Sequence, residues 1–151
     1  MWIRNEVRGA WRKLVLDIQP TMAITLGMGL QTTAERLNRD AELLFNRVQR
    51  RAYGPRWFKQ PASERISAIG FHEHPDSNRH MHVALAGGYR VCERLMLDGS
   101  RFWKDIRTAG DFYVEPIGNV EGYADYITKD ARSERSWETV YVYRPADWRE
   151  L

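Results

Sequence analysis

Between Thr21 and Met28 bulky and bare side chains alternate without a break: Met22, Ile24, Leu26 and Met28 fall on one side, Ala23, Thr25 and Gly27 on the other. A period of two is that of a β-strand, whose successive side chains leave the backbone on opposite faces. The bulky side must be buried, so other elements have to cover it. A second stretch has the same character. From His80 to Gly87, Met81, Val83 and Leu85 point one way and His80, His82, Ala84 and Ala86 the other. Together they predict a sheet with one packed face and one thinly furnished face.

The remaining periodicity fits helices and further strands around that sheet. Trp2, Ile3, Val7, Ala10, Trp11, Leu14 and Val15 recur at mostly helical spacing and stop at Pro20. Thr32-Thr33-Ala34-Glu35 reads as a capping box, and Leu37, Ala41, Leu44, Val48 and Ala52 carry a helix to about Tyr53, where Gly54-Pro55 ends it. Arg65 to about Glu73 and the His80 strand are joined by His74-Pro75-Asp76-Ser77-Asn78-Arg79, which predicts an antiparallel hairpin. A short helix is expected from Arg90 to Leu97, closed by Asp98-Gly99, with Ser100 capping another turn through Trp103 and Ile106. A strand from Phe112 to Ile117, a helix capped by Asn119 and carrying Tyr123 to Lys129, and a strand from Trp137 to Tyr143 complete the chain. The order predicts an α+β fold, a central antiparallel sheet of about five strands with helices packed mainly on one side. In plan this is related to ferredoxin-like and RNA-recognition folds.

A chain of 151 residues, 43% apolar, suffices for one such domain, so residues 1–151 are read as a single unit. Apolar runs stop short of the roughly 20 residues a membrane helix needs, and the first residues lack a signal peptide's apolar stretch. An intracellular protein with no membrane partner is expected. The single cysteine, Cys92, excludes an internal disulfide framework and suits a small buried hydrophobe in a reducing compartment. A net charge of +3 permits a polyanionic partner without identifying one. No Gly-x-x-x-x-Gly-Lys-Ser/Thr loop occurs, so any ATP-driven step falls to another protein.

The residues that carry chemistry are concentrated. All four histidines, His72, His74, His80 and His82, fall between positions 72 and 82. Two imidazoles on one strand face can chelate a divalent ion, and a nearby carboxylate would complete a hard, open site able to polarise a phosphodiester. The plain alternative is a polar sheet face that happens to carry histidines. Downstream, Tyr126-Ile127-Thr128-Lys129 places a phenol and an ammonium three residues apart on the predicted helix, hence on one face. A phenol attacking phosphorus needs its developing charge stabilised, and the lysine can provide that, although Tyr-x-x-Lys alone is usually solvated surface. In the stretch 56–61, Arg56, Trp57 and Lys59 have the composition to stack on and neutralise single-stranded nucleic acid; an aromatic loop tucked over the core fits equally well.

Taken together these residues resemble the HUH endonucleases, and within them the rolling-circle replication initiators, the Rep proteins of plasmids, phages and small single-stranded DNA viruses. Ala23-Ile24-Thr25-Leu26 is similar to the family's first motif, Glu73 through His80-Met81-His82 to its metal motif, and Tyr123-Ala124-Asp125-Tyr126-Ile127-Thr128-Lys129 to its nucleophile motif. They stand in the family's order and span residues 22–130. The resemblance implies an HUH nuclease fold and cleavage of one DNA strand by tyrosine, leaving a 5′-phosphotyrosine link and a free 3′-hydroxyl, followed by strand transfer. It implies Tyr126 as nucleophile, Lys129 assisting, and His80 and His82 as ligands of Mg²⁺ or Mn²⁺. The implied partners are single-stranded DNA or an origin hairpin, and a host or separate helicase, in a prokaryotic cytoplasm or a host nucleus.

The third ligand is Glu73, with His72 as runner-up. Strict alternation places Glu73 beside Ile69 and Phe71, and His72 beside the small Ala68 and Gly70, so Glu73 needs a bulge to join the histidines. Hard ions nonetheless prefer carboxylate oxygen. Tyr123, one turn before Tyr126, is read as packing or a phosphate contact. Relaxases place their tyrosine before the histidines, so the order here points to a Rep or a single-tyrosine transposase. Two other classes compete. One is a non-catalytic nucleic-acid-binding module with an RNA-recognition-like, aromatic platform. The other is a structural zinc protein using the histidines and Cys92, which lacks a Cys-x-x-Cys partner.

Overall fold

A computed structural model describes residues 2–29, 31–73, 78–131 and 139–143. In chain order they form α1 (Trp2–Asp17), β1 (Met22–Gly27), α2 (Ala34–Tyr53), a turn of 3₁₀ helix (Trp57–Lys59), β2 (Ser67–Glu73), β3 (His80–Ala86), α3 (Tyr89–Ile106), β4 (Asp111–Pro116), α4 (Val120–Ile127) and β5 (Val140–Tyr143). The strands make one sheet in the order β4-β1-β3-β2-β5, each neighbouring pair antiparallel. Strands β1 to β4 with α2 and α3 thus follow the βαββαβ plan of ferredoxin-like folds, and β5 extends the sheet beside β2.

The bulky side of each alternating strand is buried as its pattern requires. Met22, Ile24 and Leu26 of β1 and Met81, Val83 and Leu85 of β3 lie under α2 and α3, which contribute Leu37, Leu44, Phe45, Val91, Leu95 and Trp103. Trp103 is fully buried, and its indole nitrogen donates to the Gly27 carbonyl at 3.0 Å, which ties α3 to the end of β1.

The opposite face is covered in part. Trp11, Leu14 and Val15 of α1 and Ala124 and Ile127 of α4 pack on Ile69, Phe71 and Ala84. Arg12 Nε donates to Asp125 Oδ1 at 2.7 Å and Arg8 donates to the Asp125 carbonyl at 3.1 Å, so α1 pins α4 over the sheet. That shelter ends before β4, whose outward residues Asp111, Tyr113 and Glu115 are all exposed.

Several boundaries differ from the sequence expectation for identifiable reasons. The break expected at Asp98-Gly99 does not occur, and α3 runs through it. Gly99 is buried where β4 approaches; a Cβ there would lie 2.5 Å from Phe112 Cζ. Asp98 accepts from Arg94 and Arg101 at 3.2 and 3.0 Å and so braces the helix on either side. The cap of α2 is Thr33, whose hydroxyl accepts from Arg36 N at 3.2 Å, one residue later than the capping-box reading. Cys92 is half-buried, near Thr21 and the Gly87 carbonyl. His74 in the hairpin turn and Trp137 at the expected start of the last strand lie outside the described residues. Among the described residues no helix is long and apolar enough to cross a membrane.

His72 points from β2 toward the α2 side. Arg79 Nη1 donates to its Nδ1 at 3.0 Å, which leaves Nε2 to donate to Asn38 Oδ1 at 2.7 Å. Burial, reinforced by the Arg79 charge, pushes its pKa from 6.5 down to about 4. A histidine held neutral in the fold but free to protonate when unfolded contributes its full stability above about pH 6.5. That contribution, about 3 kcal/mol, is lost as pH falls toward 4. The His72→Gln protein should therefore show a flatter decline in unfolding free energy over pH 6.5 to 4, measured by urea denaturation at stepped pH.

Candidate active site on the open sheet face

Antiparallel register brings directly paired residues onto one face. Reading across β4, β1, β3 and β2, one row is Asp111, Gly27, His80 and Glu73, and the next is Tyr113, Thr25, His82 and Phe71. Glu73 therefore shares the histidine face with no bulge. The expectation failed because β2 inverts the size rule that holds for β1 and β3. Its small residues Ala68 and Gly70 are the ones that face α2 and α3, where Met81 needs the room: a Cβ at Gly70 would stand 2.5 Å from Met81 Sδ. Its bulky Ile69 and Phe71 face α1 and α4 instead. His72 lies on the other side of the sheet and is not a candidate ligand of this site.

Glu73 is the hub. Its Oε2 lies 2.5 Å from His82 Nε2 and its Oε1 3.0 Å from Lys129 Nζ. Burial pushes the Glu73 carboxyl up, but the bonds from Lys129 and His82 outweigh it and hold the group below its usual range. The same contact pushes the Lys129 ammonium up. At neutral pH the two are a carboxylate and an ammonium. His82 is oriented from behind, with its Nδ1 3.2 Å from Thr25 Oγ1.

Tyr126 completes the group. Its ring meets His82 edge-on at 5.5 Å between centroids, and Lys129 Nζ sits 4.3 Å from its ring centre. The residue is 47% exposed. Tyr123 is different: its hydroxyl donates to the Val83 carbonyl at 2.9 Å, and burial raises its pKa strongly. Its phenol is engaged in packing α4 to β3.

Lys129 reaches Tyr126 by a turn and not along a helix face, as the sequence had suggested. The Asn119 side chain caps α4 by accepting from Gly122 N at 3.0 Å, and the helix ends at Ile127. The chain then tightens, with Lys129 N donating to the Tyr126 carbonyl at 3.3 Å. Thr128 is buried, and its hydroxyl donates to the Ala124 carbonyl at 2.7 Å, which fixes the turn that presents the lysine.

His80 lies across the row from Glu73, but its ring rests over Gly27, with Cδ2 3.1 Å from where a Cβ would stand. Among the described residues no three His, Cys, Asp or Glu side chains converge closely enough to hold one ion. By chemistry the donors on this face are mixed, one carboxylate oxygen of the kind hard divalent cations take and two borderline imidazoles on the adjacent strand. His82 and Glu73 already converge, with Thr25 behind the imidazole in the usual role of an outer partner, and His80 is the donor that must turn to join them.

The other predicted residues fall elsewhere. Trp57 is only 4% exposed, packed edge-on against Phe58 at 6.1 Å, and Arg65 donates to the Phe58 carbonyl at 3.0 Å. An indole buried in this way is not presented for stacking on a base. Arg56 and Lys59 are exposed, but they precede β2, at the far end of that strand from Glu73. Sequence reasoning missed Asp111 and Tyr113. Their place follows from the ferredoxin-like plan, in which the fourth strand flanks the first.

The face thus gathers a carboxylate, an imidazole, an ammonium and a half-exposed phenol within contact of one another. A shallow cleft beside them is lined by Glu73, His82, Ile127, Lys129 and Asp130, and so carries an imidazole, an ammonium and two carboxyl groups. Comparison with protein-family models, curated proteins and solved structures returns no match for this chain.

Proposed function

We propose that the chain is a metal-dependent, single-stranded DNA nicking and strand-transfer endonuclease of the rolling-circle initiator kind, acting through a covalent 5′-phosphotyrosine. One observation carries this reading: Tyr126 and Lys129, from the far end of the sequence, lie against the Glu73–His82 pair on one sheet face. Tyr126 Oη attacks phosphorus, the new Tyr–O–P bond forms, and the bond from phosphorus to O3′ breaks. The electron pair leaves on O3′, which takes up a proton to become a 3′-hydroxyl. The phenol loses its proton to solvent, to which Tyr126 is open, and the Lys129 ammonium stabilises the charge developing on phenolate and phosphate. Attack by another 3′-hydroxyl on the phosphotyrosine reverses the sequence and joins strands.

Glu73, His80 and His82 would hold Mg²⁺ or Mn²⁺, which when bound would neutralise phosphate charge and make phosphorus more electrophilic. Cys92 lies by Gly87, at the opposite end of β3 from His80, which disfavours a structural zinc centre built from both. The cover of α1 and α4 over Ile69 and Phe71 disfavours an RNA-recognition module, which needs that face open to bases. Single-stranded DNA or an origin hairpin is the proposed substrate, and strand separation belongs to a separate helicase.

The test is incubation with random-sequence single-stranded DNA, labelled at either end, with Mn²⁺ or Mg²⁺, resolved on denaturing gels. The expected result is a metal-dependent covalent band that carries the 3′ label and a released 5′-labelled fragment. A pool covering every hexamer that yields neither adduct nor nick with either ion overturns the reading. The Thr25→Val protein should bind Mn²⁺ about 10- to 100-fold more weakly by calorimetric titration, because His82 loses its orienting hydroxyl while the strand keeps a β-branched residue.

A further inference from the structure

Tyr113 is 61% exposed in the middle of β4, and among the described residues neither core cluster takes in its ring. It stands in one cross-strand row with Thr25 and His82. Strands lie about 4.8 Å apart, so two strand spacings put it roughly 10 Å from His82, a reach of one or two nucleotides. Between them β1 presents one partly exposed side chain, the short Thr25, with Ala23 buried and Gly27 beneath the His80 ring, so nothing bulky on β1 stands between Tyr113 and His82.

Charge sets the orientation. Asp111 and Glu115 flank Tyr113 on the same exposed face, and Glu115 accepts from the Tyr113 hydroxyl at 3.3 Å. Two carboxylates with no cation paired to them among the described residues repel phosphate, whereas the far side offers the Lys129 ammonium, which bridges to Glu73 and stands beside Asp130. A single strand crossing this face would turn its backbone to Lys129 and its bases to β4. We propose that Tyr113 is a stacking platform for the base of a nucleotide next to the scissile phosphate, an inference that rests on the proposed function. Aromatic stacking accepts any base, so Tyr113 positions the strand and sequence selection lies elsewhere.

The test measures binding without metal, so it does not depend on cleavage. Fluorescence anisotropy compares a random-sequence single-stranded 20-mer with an abasic deoxyribose-phosphate strand of the same length. The full chain is used as wild type, Tyr113→Phe and Tyr113→Thr, the last retaining a β-branched residue in the edge strand. Tyr113→Thr should weaken the base-bearing strand about 10-fold, Tyr113→Phe should not, and the abasic strand should bind all three alike. Equal binding of the base-bearing strand by wild type and Tyr113→Thr overturns the platform, as does an equal loss of the abasic strand. A Tyr126 adduct with Tyr113-independent binding overturns the platform alone. Tyr113-dependent preference for bases in a protein that forms no adduct upholds the platform and overturns the nuclease.

Discussion

The Tyr126→Phe protein should form no covalent DNA adduct, and its nicking rate should fall on the order of 10⁴-fold or more, while single-stranded DNA binding and thermal unfolding stay as in wild type. The substitution removes one oxygen and keeps the ring that meets His82 edge-on beneath Lys129, so the site retains its shape and loses only the atom proposed to attack. Tyr123→Phe is the control. Its hydroxyl holds the Val83 carbonyl, so its removal should cost about 1 kcal/mol in stability and leave adduct formation intact. Intact-protein mass spectrometry after reaction with a cleavable strand reads both outcomes. An adduct on the Tyr126→Phe chain, absent from Tyr123→Phe, would exchange the roles of the two tyrosines.

The second large effect is expected from His80→Ala/His82→Ala. Cleavage should drop about 10³-fold, and Mn²⁺ binding by calorimetric titration should vanish, since under the proposed reading the ion would stabilise the transition state by several kcal/mol and would lose its nitrogen donors. The fold should survive. Both side chains point away from the cluster formed by Met81, Val83 and Leu85, and Glu73 keeps Lys129 as a partner when His82 is gone. Retained cleavage with a cooperative melt overturns the metal assignment, and a lost melt directs the test to Glu73→Gln.

How much of this was legible in the sequence follows from which physical rule governs each residue. The faces of β1 and β3 were readable because one side of each strand is bulky and the other small. In β2 the rule misled. Both of its faces are covered, one by α2 and α3 and the other by α1 and α4, so side-chain size there reports the gap available to Gly70 against Met81 and not the direction of the core. The outward side of Glu73 therefore came from register with His80, a tertiary fact.

Gly99 shows the same limit. A glycine after aspartate reads locally as a stop, but its cause is Phe112, a neighbour supplied by β4. Trp57 was ambiguous for a related reason: an aromatic residue between basic ones suits a surface or an interior, and only the packing of the loop decides. Tyr113 was overlooked because its meaning depends on β4 lying beside β1. The pairing of tyrosine with lysine was legible in spacing, although the turn after Ile127, held by Thr128, and not a helix face brings them together.

The hydrogen bond from Tyr123 to β3 has a consequence for stoichiometry. With that phenol committed to the scaffold, the Tyr-rich end of α4 offers one attacking group per polypeptide, so under the proposed reading each molecule can carry one captured 5′ end and is occupied until a 3′-hydroxyl reclaims it. A cycle with two ends in flight at once would then need two copies of the chain, and the number of breaks open at any moment would be capped by the number of molecules present.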